Sequence, residues 1–360
     1  MGKRVNTAQW MENQQRWQIK VQKDNERKTF YSSKPGRTGQ REANAKADAW
    51  LDENINSQQT RTKDVYTDYV NNLKKSTSTT NWKKAESIGR VWLLPVIGNK
   101  KIQSITEGQL QTILNNATDK GLAKKTVSNI KATILSFFKY CRQNKFTTLH
   151  PEFLSVPQKA KRSSKNVLQP SALAVLFTQT NTSYKGKVIF DPYIYAYRFE
   201  VLTGLRPGEL IGLELTDIHS EIVYIQRSIN NFGEITDGKN QNAKRGFALS
   251  RQAKNVLEQQ LKIREPGNQS VFQILNQKHY RNCWKRYCAH NNIPYITPYE
   301  LRHTFVSVAK NLSEGQIQPI IGHSKDMDTF GTYGHQITGE MEQTASELTQ
   351  LFDRILKSGL

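Results

Sequence analysis

Cysteine, acidic residues and long apolar runs are all scarce in this chain. Only Cys141, Cys283 and Cys288 occur among 360 residues. An odd, sparse set of thiols argues against a disulfide framework and for a reducing, cytoplasmic compartment. Cys283 and Cys288 lie close to His290, but the spacing matches no common zinc pattern, so they read as ordinary thiols. No stretch approaches the roughly 18 apolar residues of a membrane span, and Met1 to Lys20 holds no apolar signal region. Repeats and low-complexity tracts are absent. Acidic residues number 31 against 52 Lys and Arg, a formal net charge of +21. That excess favours a polyanionic partner, because each neutralised phosphate releases condensed counterions. An anionic membrane surface is the rival reading. With no span and no signal region, the chain reads as soluble, intracellular and nucleic-acid-seeking.

The length suggests two or three domains, and the residue pattern separates them. In residues 1–58, Arg16 to Val21 alternates apolar and polar like a strand, and Lys28 to Ser32 supplies a second. Pro35-Gly36 is turn chemistry, and the alanine-rich run Arg41 to Leu51 reads as a helix. The expected product is a small, basic α+β module that either binds DNA or caps the next domain. Residues 60–150 read as all-helical. Val65, Tyr66, Tyr69, Val70 and Leu73 share a face, Thr106 is an N-cap candidate before Leu110, Ile113 and Leu114, and Val127, Ile130, Ile134, Leu135, Phe137 and Phe138 form a stripe. Lys124, Lys125, Lys131 and Lys139 interleave that stripe, as a solvated face or one that tracks a nucleic-acid backbone. Residues 151–165, with the basic run Gln158 to Lys165, read as a linker. Residues 166–360 mix helices with a small antiparallel sheet from Ile222–Ile225 and Gly246–Leu249, with turns at Gly233 and Asp237-Gly238. Met341, Ala345, Leu348, Phe352 and Ile355 form an apolar stripe on a last helix.

Four short contexts carry chemistry. Arg206 follows an expected helix, Tyr193 to Leu202, and precedes Pro207, a favoured first helical position. Arg302 lies in Pro298-Tyr299-Glu300-Leu301-Arg302-His303-Thr304. His323 lies in Ile321-Gly322-His323-Ser324, before a further expected helix, and Tyr333 in Thr332-Tyr333-Gly334-His335. Two guanidiniums can neutralise a phosphate, a histidine can donate a hydrogen bond or a proton, and a phenolic oxygen can attack phosphorus. Read alone, Arg206 is more often a structural ion pair with Glu209, and a random tyrosine among 14 is core or surface.

Together these segments resemble the tyrosine recombinases of the phage-integrase family. Thr203-Gly204-Leu205-Arg206-Pro207-Gly208-Glu209-Leu210 looks like the first arginine box, and the segments around Arg302, His323 and Tyr333 resemble the second box, the Leu-Gly-His-Ser element and the nucleophile segment. The resemblance is specific over about residues 166–335 and architectural upstream. It implies a multidomain, mainly helical fold: an arm-type DNA-binding domain (1–58), a helical core-binding domain (60–150), a linker (151–165) and a catalytic domain with a small antiparallel sheet (166–360). It implies a site-specific recombinase that integrates, and with help excises, a mobile element through a 3′-phosphotyrosine on Tyr333, with no cofactor or metal.

Within that resemblance, Arg206 and Arg302 would grip the non-bridging phosphate oxygens, Glu209 would orient or pack against the site, and His323 would donate to phosphate. Lys239 fits the family's β-turn lysine, six residues before Arg245; Lys244 is the rival. Tyr299 stands where most relatives have a histidine, and either takes part or only fills that volume. His303 more naturally braces its helix. The implied partners are double-stranded attachment sites, three further copies of the chain on DNA, an excisionase and a DNA-bending host protein. The last helix would dock on a neighbouring protomer or on its own domain. A type IB topoisomerase-like enzyme and a catalytically silent DNA-binding regulator are the alternatives.

Overall fold

Apolar alternation along Arg16 to Val21 becomes the middle strand of a small sheet in the computed structural model, which describes residues 6–23, 26–52, 60–162, 164–236, 244–322 and 339–359. The chain divides into two units, Met1–Ser163 and Ser164–Leu360. In the first, β1 (Gln9–Met11), β2 (Arg16–Lys23) and β3 (Glu26–Ser32) pair antiparallel in the order β1-β2-β3. Period-two alternation puts Ile19 and Val21 on one face, where they pack with Ala43, Ala47, Trp50 and Leu51 of helix α1 (Gly36–Asp52). The guanidinium of Arg16 stands 3.9 Å over the Tyr31 ring.

A separate helical core follows in the same unit. On α2 (Thr62–Ser76) Val65, Tyr66, Tyr69 and Val70 are buried, as their spacing predicts. Helix α3 (Thr79–Ile88) runs into a π-helical turn, Gly89–Leu93, where the absence of a side chain on Gly89 lets the Tyr66 ring lie against the backbone. Tyr66 also donates its hydroxyl to the Ala85 carbonyl at 2.7 Å and meets Phe137 edge-on at 4.8 Å. Thr106 caps α4 (Glu107–Asp119) in a reciprocal box with Gln109. The stripe on α5 (Lys124–Gln143) is buried except for Leu135, which is 36% exposed. Next to Ile134 in sequence, Leu135 is turned about 100° around the helix and leaves the core face. The stretch expected to be a linker departs further from expectation. Leu154 and Ala160 are buried in the helical core, and the Lys161 carbonyl accepts from the Lys124 amide at 2.8 Å. Leu154 before the basic run and Ala160 within it share no period, so only packing reveals their place.

The second unit is built around α7 (Ile194–Thr203), which is buried on every side and packs against α9 (Arg251–Ile263) and α11 (Pro298–Val308). It follows α6 (Pro170–Thr178) and a hairpin absent from the sequence reading, β4 (Asn181–Tyr184) and β5 (Lys187–Phe190). After α8 (Pro207–Ile211), strands β6 (Ile218–His219), β7 (Ile222–Ile225) and β10 (Arg245–Ala248) form an antiparallel sheet in the order β10-β7-β6. A short hairpin, β8 (Ser228–Ile229) with β9 (Ile235–Thr236), is inserted between β7 and β10 and turns near Gly233. The expected turn at Asp237-Gly238 lies outside the described residues. Helix α10 (Gln277–His290) buries Cys283 and Cys288, and burial pushes the Cys288 thiol up to about 12. Such a thiol behaves as a small apolar group.

Helix α12 (Glu314–Ile321) ends at Gly322, and α13 (Glu340–Ser358) closes the unit. The α13 stripe packs on its own domain: Ala345, Leu348 and Phe352 are buried, and the Phe352 ring stacks on Phe305 at 6.5 Å. Burying Phe352 and Leu348 contributes roughly 1.5–3 kcal/mol each. The exposed ion pair of Arg251 with Asp353 at 2.6 Å adds at most about 1 kcal/mol. The apolar face therefore holds the helix. Among the described residues no helix is long and apolar enough to cross a membrane.

Two features of this packing can be tested by stability. A Cβ at Gly89 would lie 2.1 Å from the Tyr66 ring, and one at Gly204, which caps α7 with φ +64°, would lie 2.4 Å from Phe305. We expect Gly89→Ala to cost about 1–3 kcal/mol by overpacking, and Gly204→Ala to cost more, because its backbone is also strained for alanine. Unchanged denaturation midpoints would show that the rings simply move aside. Glu200 on α7 is fully buried, accepts from the Tyr280 hydroxyl at 2.8 Å through Oε2, and among the described residues has no hydrogen-bond partner at Oε1. Burial pushes its carboxyl well above the ordinary 4.5, against the Tyr280 bond and the charge of Arg302. The folded chain thus holds a proton that the unfolded chain releases, so stability is full below the ordinary carboxylate value and is lost as pH rises from there towards the raised folded value. Glu200→Gln should flatten that fall in a series of melts from pH 4.5 to neutrality; an unaltered slope would assign it to another group.

Candidate active site

Arg206 sits where α7 ends and α8 begins. Pro207 forces the preceding residue into extended backbone, and Arg206 adopts φ −74° and ψ 148°. Its side chain therefore leaves the helix start rather than packing along it. Glu209, at the third helical position, reaches back to cap this turn. One carboxylate oxygen accepts from the Arg206 amide at 3.0 Å, and the other from Nη1 of the same residue at 2.7 Å.

Arg302 reaches the same place from α11. It is 2% exposed, so its charge is almost stripped of water. Its Nη1 donates to the Gly204 carbonyl at 2.8 Å and its Nη2 to the Ile321 carbonyl at 2.7 Å. The Arg206 Nη2 donates to the next carbonyl, Gly322, at 3.1 Å. Both arginines expected at the site therefore meet at the C-terminal end of α12. The carbonyls there have no partner within the helix, and the helix dipole makes that end negative, which suits cations.

A third arginine completes the set. Arg245, the first residue of β10, donates from Nε to the Ile320 carbonyl at 2.7 Å. Its two terminal nitrogens form a fork on Glu209, at 3.2 Å and 2.8 Å. Three successive carbonyls, Ile320, Ile321 and Gly322, thus accept from three different arginines. In the sequence Arg245 served only to mark the strand six residues after Lys239. Its one signal was that spacing, and nothing in it pointed to Glu209 or to α12.

The charges can be weighed. Burial alone would raise the Glu209 carboxyl. The hydrogen bonds and charge of Arg245, and then of Arg206, hold it below its ordinary range, so it is ionised at neutral pH. Burial first, and then the charge of Arg206, push Arg302 down to about 10, which still leaves it charged. Three guanidiniums against one carboxylate leave a net charge of two positives in this cluster. Arg206 is its open member, with 28% of its side chain exposed, against 7% for Arg245. A site of this kind can receive a doubly bonded anion such as a phosphate.

The remaining expected residues divide into two groups. Tyr299, three positions before Arg302 on α11, is 43% exposed and meets the His303 ring edge-on at 5.4 Å. His303 is half-buried, and burial lowers its imidazole, followed by the nearby charge of Lys165. Lys239, His323 and Tyr333 lie outside the described residues, as does any helix after Ser324. Helix α12 delivers the chain to Gly322, the residue before His323 and a direct partner of Arg206.

Comparison with known proteins agrees with this geometry. Residues 182–339 match the phage integrase family, and residues 63–117 match the N-terminal SAM-like domain of phage integrases. The chain is similar to the ICEBs1 integrase of Bacillus subtilis strain 168, 21% identical over 277 residues that cover 69% of this chain and 72% of that protein. It is similar to the tyrosine recombinase XerD of Listeria innocua, 26% identical over 238 residues, 61% of this chain and 74% of that one. The solved structure of the Tn1549 transposon integrase in complex with circular intermediate DNA superposes with a TM-score of 0.62 at 17% identity, covering 79% of this chain and 99% of that one. Likeness at that identity establishes the fold. The two family models together span more than half of the sequence, and the chain belongs to the phage integrase family of tyrosine recombinases.

Proposed function

We propose that this site-specific DNA recombinase cuts and rejoins DNA with Tyr333 as nucleophile, gripping the scissile phosphate with Arg206 and Arg302. The observation that carries the reading is the meeting of both arginines at the end of α12, beside an ionised Glu209. Among the described residues each of the two donates two hydrogen bonds from its guanidinium, which has five N–H groups. Donors therefore remain for two non-bridging oxygens, and these bonds strengthen as charge builds on the phosphoryl group.

In the proposed step the Tyr333 oxygen forms a bond to phosphorus and the bond to the 5′ oxygen breaks. The phenolic proton passes to a base or water at the site, and Lys239 supplies a proton to the departing 5′ oxygen. His323, next in the chain after Gly322, donates to the phosphate. A free 5′ hydroxyl of another strand then attacks the 3′-phosphotyrosine, releases the tyrosine and reseals the DNA. One phosphodiester-like link is exchanged for another, so ATP is not required. Tyr299, three positions before Arg302 and 43% exposed, would add a hydrogen bond from its hydroxyl to the phosphate.

The partners extend this reading. The basic sheet and helix of residues 6–52 would bind accessory arm sites, with Arg16 and Tyr31 on β2 and β3 as contacts. The helical core of residues 60–162 and the catalytic unit would hold the core site, in four copies on two DNA sites, in the cytoplasm. An excisionase and a DNA-bending host protein would set direction. The excess of 52 Lys and Arg over 31 acidic residues supports phosphate-tracking surfaces.

A nicked suicide substrate made from the attachment site of the encoding element tests the chemistry. Wild-type protein is expected to leave a covalent protein–DNA adduct on a denaturing gel, and Tyr333→Phe to bind the same DNA without forming it. A wild type that gives no adduct would turn the reading towards a silent DNA-binding regulator. An adduct from Tyr333→Phe would move the nucleophile to another residue.

A further inference from the structure

We propose that Arg245 is a positioning residue: by bridging Glu209 and the Ile320 carbonyl, it holds Arg206 and the end of α12 in one register. The inference rests on the phosphate-gripping role proposed for Arg206. It is carried by how the Glu209 carboxylate is shared. Oε1 accepts from Arg206 Nη1 at 2.7 Å and from Arg245 Nη1 at 3.2 Å. Oε2 accepts from the Arg206 amide at 3.0 Å and from Arg245 Nη2 at 2.8 Å. Both oxygens are thus shared by the same two residues, and the carboxylate is 4% exposed, with little water to replace a lost partner.

Among the described residues Glu209 is the carboxylate that bonds the Arg206 guanidinium, so the orientation of that guanidinium follows Glu209. Arg245 fixes Glu209 by a two-point fork, and its third donor, Nε, ties the same guanidinium plane to Ile320. One rigid plane therefore registers three parts of the site. Arg206 is held through Glu209. The start of β10 is held directly, six residues after Lys239. The end of α12 is held at Ile320, three residues before His323. A lysine in this place has its three donors on one nitrogen and lacks the planar fork that spans both Glu209 oxygens while Nε reaches Ile320.

Arg245→Lys and Glu209→Gln separate positioning from folding and from DNA contact. Each is assayed as the full chain by single-turnover cleavage of the nicked half-site over a range of protein concentrations, with a thermal melt in parallel. A displacement of the gripping group by about 1 Å costs on the order of 100-fold in rate. We therefore expect the saturated cleavage rate of Arg245→Lys to fall about 10- to 100-fold, with the half-saturating concentration and the melting midpoint held close to wild type. Glu209→Gln should fall similarly, and the double variant no further than the worse single, because one linkage is broken in all three. A wild-type saturated rate in either single variant overturns the inference, as does a loss seen only in half-saturating concentration, or losses that multiply in the double variant. Should Arg245→Lys not fold, the Glu209→Gln rate decides alone. Absence of an adduct from the wild type would instead remove the reading on which the inference rests.

Discussion

Three like charges crowd the end of α12, and the way their repulsion is offset organises the catalytic unit. Two unit charges about 5 Å apart repel by roughly 3 kcal/mol at the effective dielectric of a protein interior. Arg206, Arg245 and Arg302 withstand this because Glu209 lies between two of them and three carbonyls of one helix end accept from all three. The offset is incomplete. One carboxylate cannot neutralise three guanidiniums, and the partial charge at a helix C-terminus is only about half a unit. The unit folds with a positive surplus that an incoming phosphate can satisfy.

Arg302 and Arg206 divide the work by burial. Arg302 is held deep by two backbone carbonyls, at the end of α7 and at the end of α12, with no carboxylate among its hydrogen-bond partners in the described residues, so its full charge is kept for an anion. Arg206 stands at a helix start with part of its side chain in solvent. One cation is preset by the core and the other is able to reach. Gly204 ties Arg302 to the core, because its carbonyl holds that arginine and the absence of a side chain lets Phe305 pack beside it. The same core receives α13 through Phe352, so the last helix and the arginine cluster share a foundation.

Much of this was legible before any coordinates. The buried face of α2, the Thr106 cap, the long stripe of α5 and the face of α13 follow from periodicity and local hydrogen bonding, which depend only on neighbours in the chain. The β4–β5 hairpin was not legible, since Asn181 to Tyr184 is polar and its strand partner only four residues long. Leu154 and Ala160 fall in the expected linker, because one apolar residue before the basic run and one within it carry no period. Leu135 was placed in a stripe that includes it by composition and excludes it by angle.

The sequence by itself determined the chemical kinds at the site and the local shapes that present them: an arginine before a proline at a helix start, a second on the face of a helix, a glycine ending the segment before His323. Only the tertiary structure decided which acceptors those groups use. Arg206 finds its carbonyl 116 residues away, Arg302 finds one 98 residues back, and Arg245 finds Glu209 across 36. Hydrogen bonds of that reach depend on where helices and strands come to rest, and packing of the core, not local sequence, sets those positions.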